Sequence, residues 1–256
     1  MFRALRQFSL PGWTLAAPLV ALLASPAPAF DLAQMTDAER EAFRAEVRAY
    51  LLENPEVLME AIDVLQNRQQ EQQVSADKTL VSDNADALFE DGRSWVGGNP
   101  QGDVTLVEFM DYRCGYCRKA FPEVDELLRA DGNIRYIVKE FPILGDQSVM
   151  ASRFAIAVRN TAGDAAYEAV HNALMTMRAE VSETALRHLA QTQGLDVETV
   201  MAAMSAPEVN DELNANMALA QALQINGTPG FVFGDQLVRG YVPLDAMVQL
   251  IGALRS

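Results

Sequence analysis

Apolar residues recur at helical spacing from Thr36 to about Gln73. Phe43, Val47, Tyr50 and Leu51 share one face, and Thr36 or Asp37 is placed to cap the segment. "ENPE" interrupts it. Pro55 disfavours helix at Asn54, which becomes the N-cap of a second helix with Pro55 at its first position. Val57, Leu58, Ala61, Ile62 and Leu65 continue the apolar stripe, after which "QNRQQEQQ" is polar on every side. A stripe this long, and this separate from the later core, reads as an oligomerisation arm rather than a helix packed on its own domain. Residues 77–91 are mixed and acidic and read as a helical or irregular connector.

The period changes after the turn-rich "GGNPQGD", residues 97–103. "VTLVEFM", residues 104–110, is a β-branched and aromatic run of strand length. "RKAFPEVDELLRA" is helical, with a kink expected at Pro122, and "NIRYIVKEF" is a second strand. This strand, helix, strand order predicts a parallel pair with a right-handed crossover. Helical segments rich in Ala, Leu and Met follow from Gln147 to Gln224. "FVFGDQLVRG" then reads as a hairpin around Gly234-Asp235, with a last helix from near Pro243. The pattern predicts an α/β fold, a mixed sheet carrying a helical block inserted mid-chain.

The first residues change the picture of compartment. Arg3 and Arg6, the apolar "LAAPLVALLA" and Ala27-Pro28-Ala29 form a secretory signal peptide, residues 1–29, cleaved after Ala29. The apolar run is shorter than the ~20 residues of a membrane span. No later stretch suits insertion, and a bacterial periplasm is the simplest destination. The formal charge of −15 disfavours nucleic acid and anionic membranes as partners. Domain organisation then follows as a helical extension and connector over 30–90 and a catalytic domain over 91–256, with its helical insertion at about 146–224.

The chain holds only two cysteines, Cys114 and Cys117, in "MDYRCGYCRKAF". They fall at the start of the helix that follows the first strand. There the unpaired N–H groups and the positive dipole end favour a thiolate at Cys114. Cys117, three residues on, shares its face, and a bond across so small a ring contributes little loop entropy. Such a pair is suited to being made and broken. A zinc site lacks ligands, since only His171 and His188 accompany the thiols and both read as ordinary helix positions. Cu(I) needs only two thiolates, so a copper-carrying role stays open.

"VTLVEFMDYRCGYC", the later "GTPGFVFGDQLVRGYVP" and the helical block between them resemble the DsbA-like thiol:disulfide oxidoreductases of the thioredoxin superfamily. "EVRAYLLENPEVLMEAI" is similar to the helical extension of their oligomeric ScsC-type members. The resemblance implies a thioredoxin fold with an inserted helical subdomain and an N-terminal helical extension. It implies Cys114 as the exposed attacking cysteine, Cys117 as the buried resolving one, and a redox-active Cys114–Cys117 disulfide, with no cofactor and no metal. Thr228 and Pro229 match the threonine and cis-proline facing the active site, while Gly115, Tyr116 and Gly227 lie beside the substrate. Glu108 matches the acidic residue beneath the disulfide, where a buried carboxylate suits a proton relay for Cys117. Lys139 either pairs with Glu108 or faces outward with it.

Gly115-Tyr116 offers no histidine to stabilise the thiolate, unlike the Pro-His of the strong oxidase. The expected centre is therefore less oxidising than DsbA, whose cysteine has a pKa near ~3.5, against ~7 in thioredoxin. Gly-Tyr, and threonine before the cis-proline, occur in DsbC-like isomerases. These features point to an oligomeric disulfide isomerase or reductase of exported, misdisulfided proteins, kept reduced by a membrane thiol reductase. A monomeric-type dithiol oxidase and a copper-binding protein using the same thiols are the alternatives.

Overall fold

The computed structural model describes residues 34–256, so the signal-peptide expectation lies outside the described residues. The chain divides into two compact units that meet in sequence between Ile62 and Asp63. In the first, α1 (Asp37–Glu53) opens on a capping box. The Thr36 side chain accepts from the Glu39 N–H, and the Glu39 carboxylate accepts from the Thr36 N–H at 2.8 Å. No residue of α1 is buried, and Phe43, Val47 and Tyr50 are exposed.

α2 (Glu56–Asp83) runs as one helix through the glutamine-rich stretch, so the expected connector is largely helix. In the second unit its last turns turn inward. Val81, with Leu88 of α3 (Ala85–Phe89), is buried in a cluster with Val107, Phe109, Ile137 and Leu223. The residues read as a connector therefore supply core to the second unit.

The sheet has the order β1-β3-β2-β4-β5: β1 (Trp95–Gly98), β2 (Val104–Met110), β3 (Ile134–Glu140), β4 (Gly230–Phe233) and β5 (Gln236–Arg239). β2 and β3 are parallel and the other pairings antiparallel. α4 (Gly115–Asp131) connects the parallel pair, with Pro122 inside the helix and Gly132 closing it at φ 70°. Five helices stand between β3 and β4: α5 (Asp146–Ala162), α6 (Asp164–Thr176), α7 (Glu183–Thr192), α8 (Val197–Ala203) and α9 (Pro207–Ala222). α10 (Leu244–Leu254) closes the chain. This is the thioredoxin arrangement with an inserted helical subdomain and an N-terminal helical extension.

Period-two alternation divides β2 between two cores. Leu106 and Met110 join the cluster containing Cys117, Val124 and Phe154, while Val107 and Phe109 join the one built on α2, α3 and α9. β1 departs from the expectation of a loop: Gly97 and Gly98 are strand residues paired with Tyr136 and Arg135. Glycine is required at 97, because a Cβ there would meet the Trp95 ring at 2.1 Å.

Candidate active site

Where β2 ends, Asp111 builds the turn that places the cysteines. Fully buried, its carboxylate accepts from the N–H of Arg113 (2.8 Å), Ile143 (2.9 Å) and Leu144 (3.0 Å), and its carbonyl accepts from the Cys114 N–H (3.0 Å). Cys114 is the N-cap of α4 and Cys117 lies in its first turn. Both are free thiols. The expectation of an exposed Cys114 needs correction. It keeps 8% of its surface against 0% for Cys117. Its Sγ donates to the Thr228 carbonyl at 3.1 Å, and the Thr228–Pro229 peptide bond is cis.

The two thiols are driven apart electrostatically. A hydrogen bond from Cys117 stabilises the Cys114 thiolate most and outweighs burial. With the Thr228 side chain and the N–H groups of Cys117 and Tyr116, it brings the pKa down to about 5. The N–H groups act as dipoles here, since the Cys114 side chain forms no capping hydrogen bond. Cys117 is pushed far above the ordinary thiol range by the same bond, by burial and by the charge of Glu108. The environment therefore favours the thiolate at Cys114 and the protonated thiol at Cys117.

Glu108 is the buried carboxylate whose charge acts on Cys117. Burial raises its pKa to about 7, although Tyr136 donates a hydrogen bond to Oε2; Oε1 has no hydrogen-bond partner among the described residues. Lys139 does not join it, and neither charge faces solvent. Glu108 stands opposite Val138 in the ladder and Lys139 opposite Phe109, so the two side chains leave opposite faces of the sheet. Lys139 instead donates to Asp91 and to the Ala87 carbonyl, each at 2.7 Å.

Around the dithiol, Gly115 and Gly227 are exposed and leave open space where a Cβ would stand. Tyr116 is 62% exposed and its ring centroid lies 5.9 Å from that of Tyr241, which is held by Glu123 at 2.7 Å. A further buried carboxylate lies outside the residues that the sequence singles out. Glu140 accepts from Tyr112 (2.7 Å), Tyr167 (2.6 Å) and Ser152 (2.7 Å), and burial brings its pKa up to about 7. Tyr112 also meets Nδ1 of His171 at 3.0 Å, and burial lowers that imidazole to about 4. His171 is thus a buried network member rather than an ordinary helix position. The signal available in sequence was Glu140 itself, a charge ending an apolar strand as Glu108 nearly does. Among the described residues, no three His, Cys, Asp or Glu side chains converge as a metal site.

A strand-to-helix dithiol facing a cis-proline loop defines a thiol:disulfide exchange centre on a thioredoxin-like fold. The family model for a DSBA-like thioredoxin domain matches residues 105–252, more than half the chain, and that of the copper resistance protein ScsC N-terminal domain matches residues 39–72. The chain belongs to the DsbA-like family of thiol:disulfide oxidoreductases.

Among solved structures, a thioredoxin-like oxidoreductase from Silicibacter pomeroyi is 46% identical, with TM-score 0.63 over 66% of this chain and 96% of that one. BcfH of Salmonella enterica Typhimurium is 31% identical, with TM-score 0.67 over 86% and 97%. ScsC of Proteus mirabilis in a transitional conformation is 26% identical, with TM-score 0.61 over 86% and 98%. A curated Na(+)/H(+) antiporter NhaA 3 of Salinispora tropica is 26% identical over 155 residues, 60% of this chain, which spans about a quarter (24%) of that relative's length.

Proposed function

We propose that this protein is a periplasmic disulfide isomerase and reductase of exported proteins, assembled into a homo-oligomer through α1 and the first turns of α2. The observation that carries the reading is the thiol pair itself, a thiolate-favouring Cys114 beside a buried Cys117 whose pKa is raised. At about 5, Cys114 lies between the strong oxidase and thioredoxin, in keeping with a Gly-Tyr motif that lacks histidine.

Cys114 Sγ⁻ attacks a substrate disulfide. The substrate S–S bond breaks, a mixed disulfide forms, and the second substrate sulfur leaves as a thiolate. If another substrate thiolate then displaces Cys114, the disulfide is rearranged with no net electron transfer. If Cys117 acts instead, it gives its proton to Glu108 and its thiolate attacks Cys114 Sγ. The Cys114–Cys117 disulfide forms, the substrate leaves reduced, and two electrons have passed to it. Returning the pair to the dithiol needs two electrons from a thiol reductant, the role assigned to a membrane reductase partner. Thr228, Pro229 and Gly227 border the path of an extended substrate beside Cys114.

Because Glu108 becomes a base only above about 7, the release step should accelerate as pH rises through that value. Glu108→Gln should flatten this rise and slow release about tenfold at pH 8, as read by quenched-flow decay of a peptide mixed disulfide. An unchanged profile would remove Glu108 from the relay.

The arm supports the oligomeric half of the proposal, with Leu58 and Ile62 exposed beside the apolar residues of α1. The test is recovery of a scrambled multi-disulfide substrate by the full chain and by Val47→Glu with Leu58→Glu. The expected result is a smaller particle by light scattering and about a tenfold loss of isomerase rate, with peptide reduction retained. Rapid oxidation of reduced chains without any rescue would sink the isomerase assignment. Absence of both activities, with tight binding of Cu(I), would favour a copper-handling role for the same thiols.

A further inference from the structure

The loop that carries Thr228 runs from the end of α9 to β4, and both of its ends are held by two consecutive residues. At the far end the Gly240 N–H donates to the Pro229 carbonyl at 3.0 Å. At the near end α9 closes with Gln224 in the left-handed region at φ 56°, the Gln224 N–H bonding Gln221 and the Ile225 N–H bonding Ala220. That closure leaves the carbonyls of Leu223 and Gln224 outside the helix ladder, and Arg239 takes both. Its Nη2 donates to Leu223 at 2.9 Å and its Nε to Gln224 at 3.0 Å.

Arg239 is itself fixed from elsewhere. Asp77 of α2 receives Nη1 at 3.0 Å on Oδ2 and Nη2 at 2.8 Å on Oδ1, a bidentate pair, and Gln73 supports Oδ1 at 3.0 Å. Asp77 is buried, at 8% exposure, on a helix otherwise almost wholly exposed. A planar guanidinium bridging one carboxylate and two carbonyls has little freedom to turn, so removing the carboxylate frees the group that anchors the loop.

We infer that Asp77 is a positioning residue for the active site: through Arg239 it fixes the loop that holds Thr228 against Cys114, so that the docked end of the helical arm sets the reactivity of the attacking thiol. The inference rests on Cys114 as the attacking thiol of the reaction proposed above. α2 then has two tasks, an exposed stripe towards its start and a latch on the substrate loop towards its end.

The test uses the full chain, with alkylation of Cys114 by iodoacetamide followed against pH in a Cys117→Ala background, and turnover of a peptide disulfide measured in the otherwise native chain. Loss of the Thr228 side-chain contact that helps hold the Cys114 thiol low should move the alkylation midpoint of Asp77→Ala upward by about half a pH unit and raise KM about fivefold, with kcat changed less. Asp77→Glu should recover most of both. Lys78→Ala, which removes the adjacent exposed ion pair with Asp235, should change neither. A folded Asp77→Ala protein with the parent's midpoint and KM overturns the inference, as does an equal effect of Lys78→Ala, which would mean general loosening of the helix. Should Asp77→Ala fail to fold, Asp77→Asn is read by the same criteria. The midpoint of the otherwise native chain, in which Cys117 still donates to Cys114, tests the thiolate on which the proposed function stands, so failure of that reading is distinguishable from failure of the latch.

Discussion

Cys114→Ser is expected to reduce thiol:disulfide exchange by the full chain about a thousandfold or more, whereas Cys117→Ser should turn the protein into a trap for its substrates. A serine hydroxyl at 114 stays protonated at neutral pH and offers no comparable nucleophile, so the first bond never forms. With Cys117 replaced, attack by Cys114 persists and the mixed disulfide loses its internal exit. Serine at 117 still presents an O–H where the S–H gives the largest stabilisation of the Cys114 thiolate. Alanine at 117 presents none, so Cys117→Ala should react more slowly at pH 6 than Cys117→Ser. Intact-mass measurement of the protein with a peptide disulfide reads all three variants. An adduct on Cys114→Ser through Cys117 would reverse the assignment of roles, because it would require a thiol that is wholly buried to be the one that attacks.

The parts of this site that were legible in sequence share a local cause. Residues 104–110, the cysteine pair and the hairpin about Gly234 announce themselves by period and by turn chemistry within a few residues, and β2, α4, β4 and β5 fall there. β1 escaped because "WVGG" is short and half glycine, and only its pairing with β3 and the shelter of Trp95 over Gly97 make it a strand. Lys139 and Glu108 are ambiguous in sequence for want of register. In a parallel pair, which of two charges faces the same core depends on which residues stand opposite, and Glu108 opposite Val138 is a tertiary fact.

The same limit hid Asp111, Tyr112 and Glu140. Asp111 and Tyr112 are unremarkable alone and Glu140 stands out only as a charge ending an apolar strand, yet together they join three segments that the chain brings close only after folding. Asp77 was likewise lost among acidic neighbours, because its partner Arg239 lies far along the chain. What local pattern conveys is the chemistry of the thiols. What sets their geometry is carried by polar groups paired across long separations.

The pair of buried Lys139 and half-buried Asp91 should show this in stability, and asymmetrically. The Lys139 side chain has no exposed surface, whereas that of Asp91 keeps 21%. Asp91 also accepts from the N–H groups of Arg93 and Ser94, each at 3.0 Å, and from the Ser94 hydroxyl at 2.7 Å. Lys139→Met leaves a carboxylate that is still hydrogen-bonded and reaches water, so the expected loss is about 1 kcal/mol. Asp91→Ala strands an ammonium in the core with the Ala87 carbonyl as its remaining hydrogen-bond acceptor, and should cost about 3–5 kcal/mol.

The pH dependence separates this account from simple loss of packing. Burial lowers the Lys139 pKa in the native protein, while Asp91 and more distant Glu212 hold it up. Removing Asp91 drops it further, so the folded variant sheds its proton at a lower pH than the unfolded chain does. Stability linked to a lowered base is gained as pH rises through its folded value towards its unfolded one. The deficit of Asp91→Ala should therefore shrink between pH 7 and about 10, whereas that of Lys139→Met should not. Urea unfolding at the two pH values decides it. Equal losses at pH 7, or a deficit in Asp91→Ala that is constant with pH, would show that Lys139 does not depend on Asp91 for its charge.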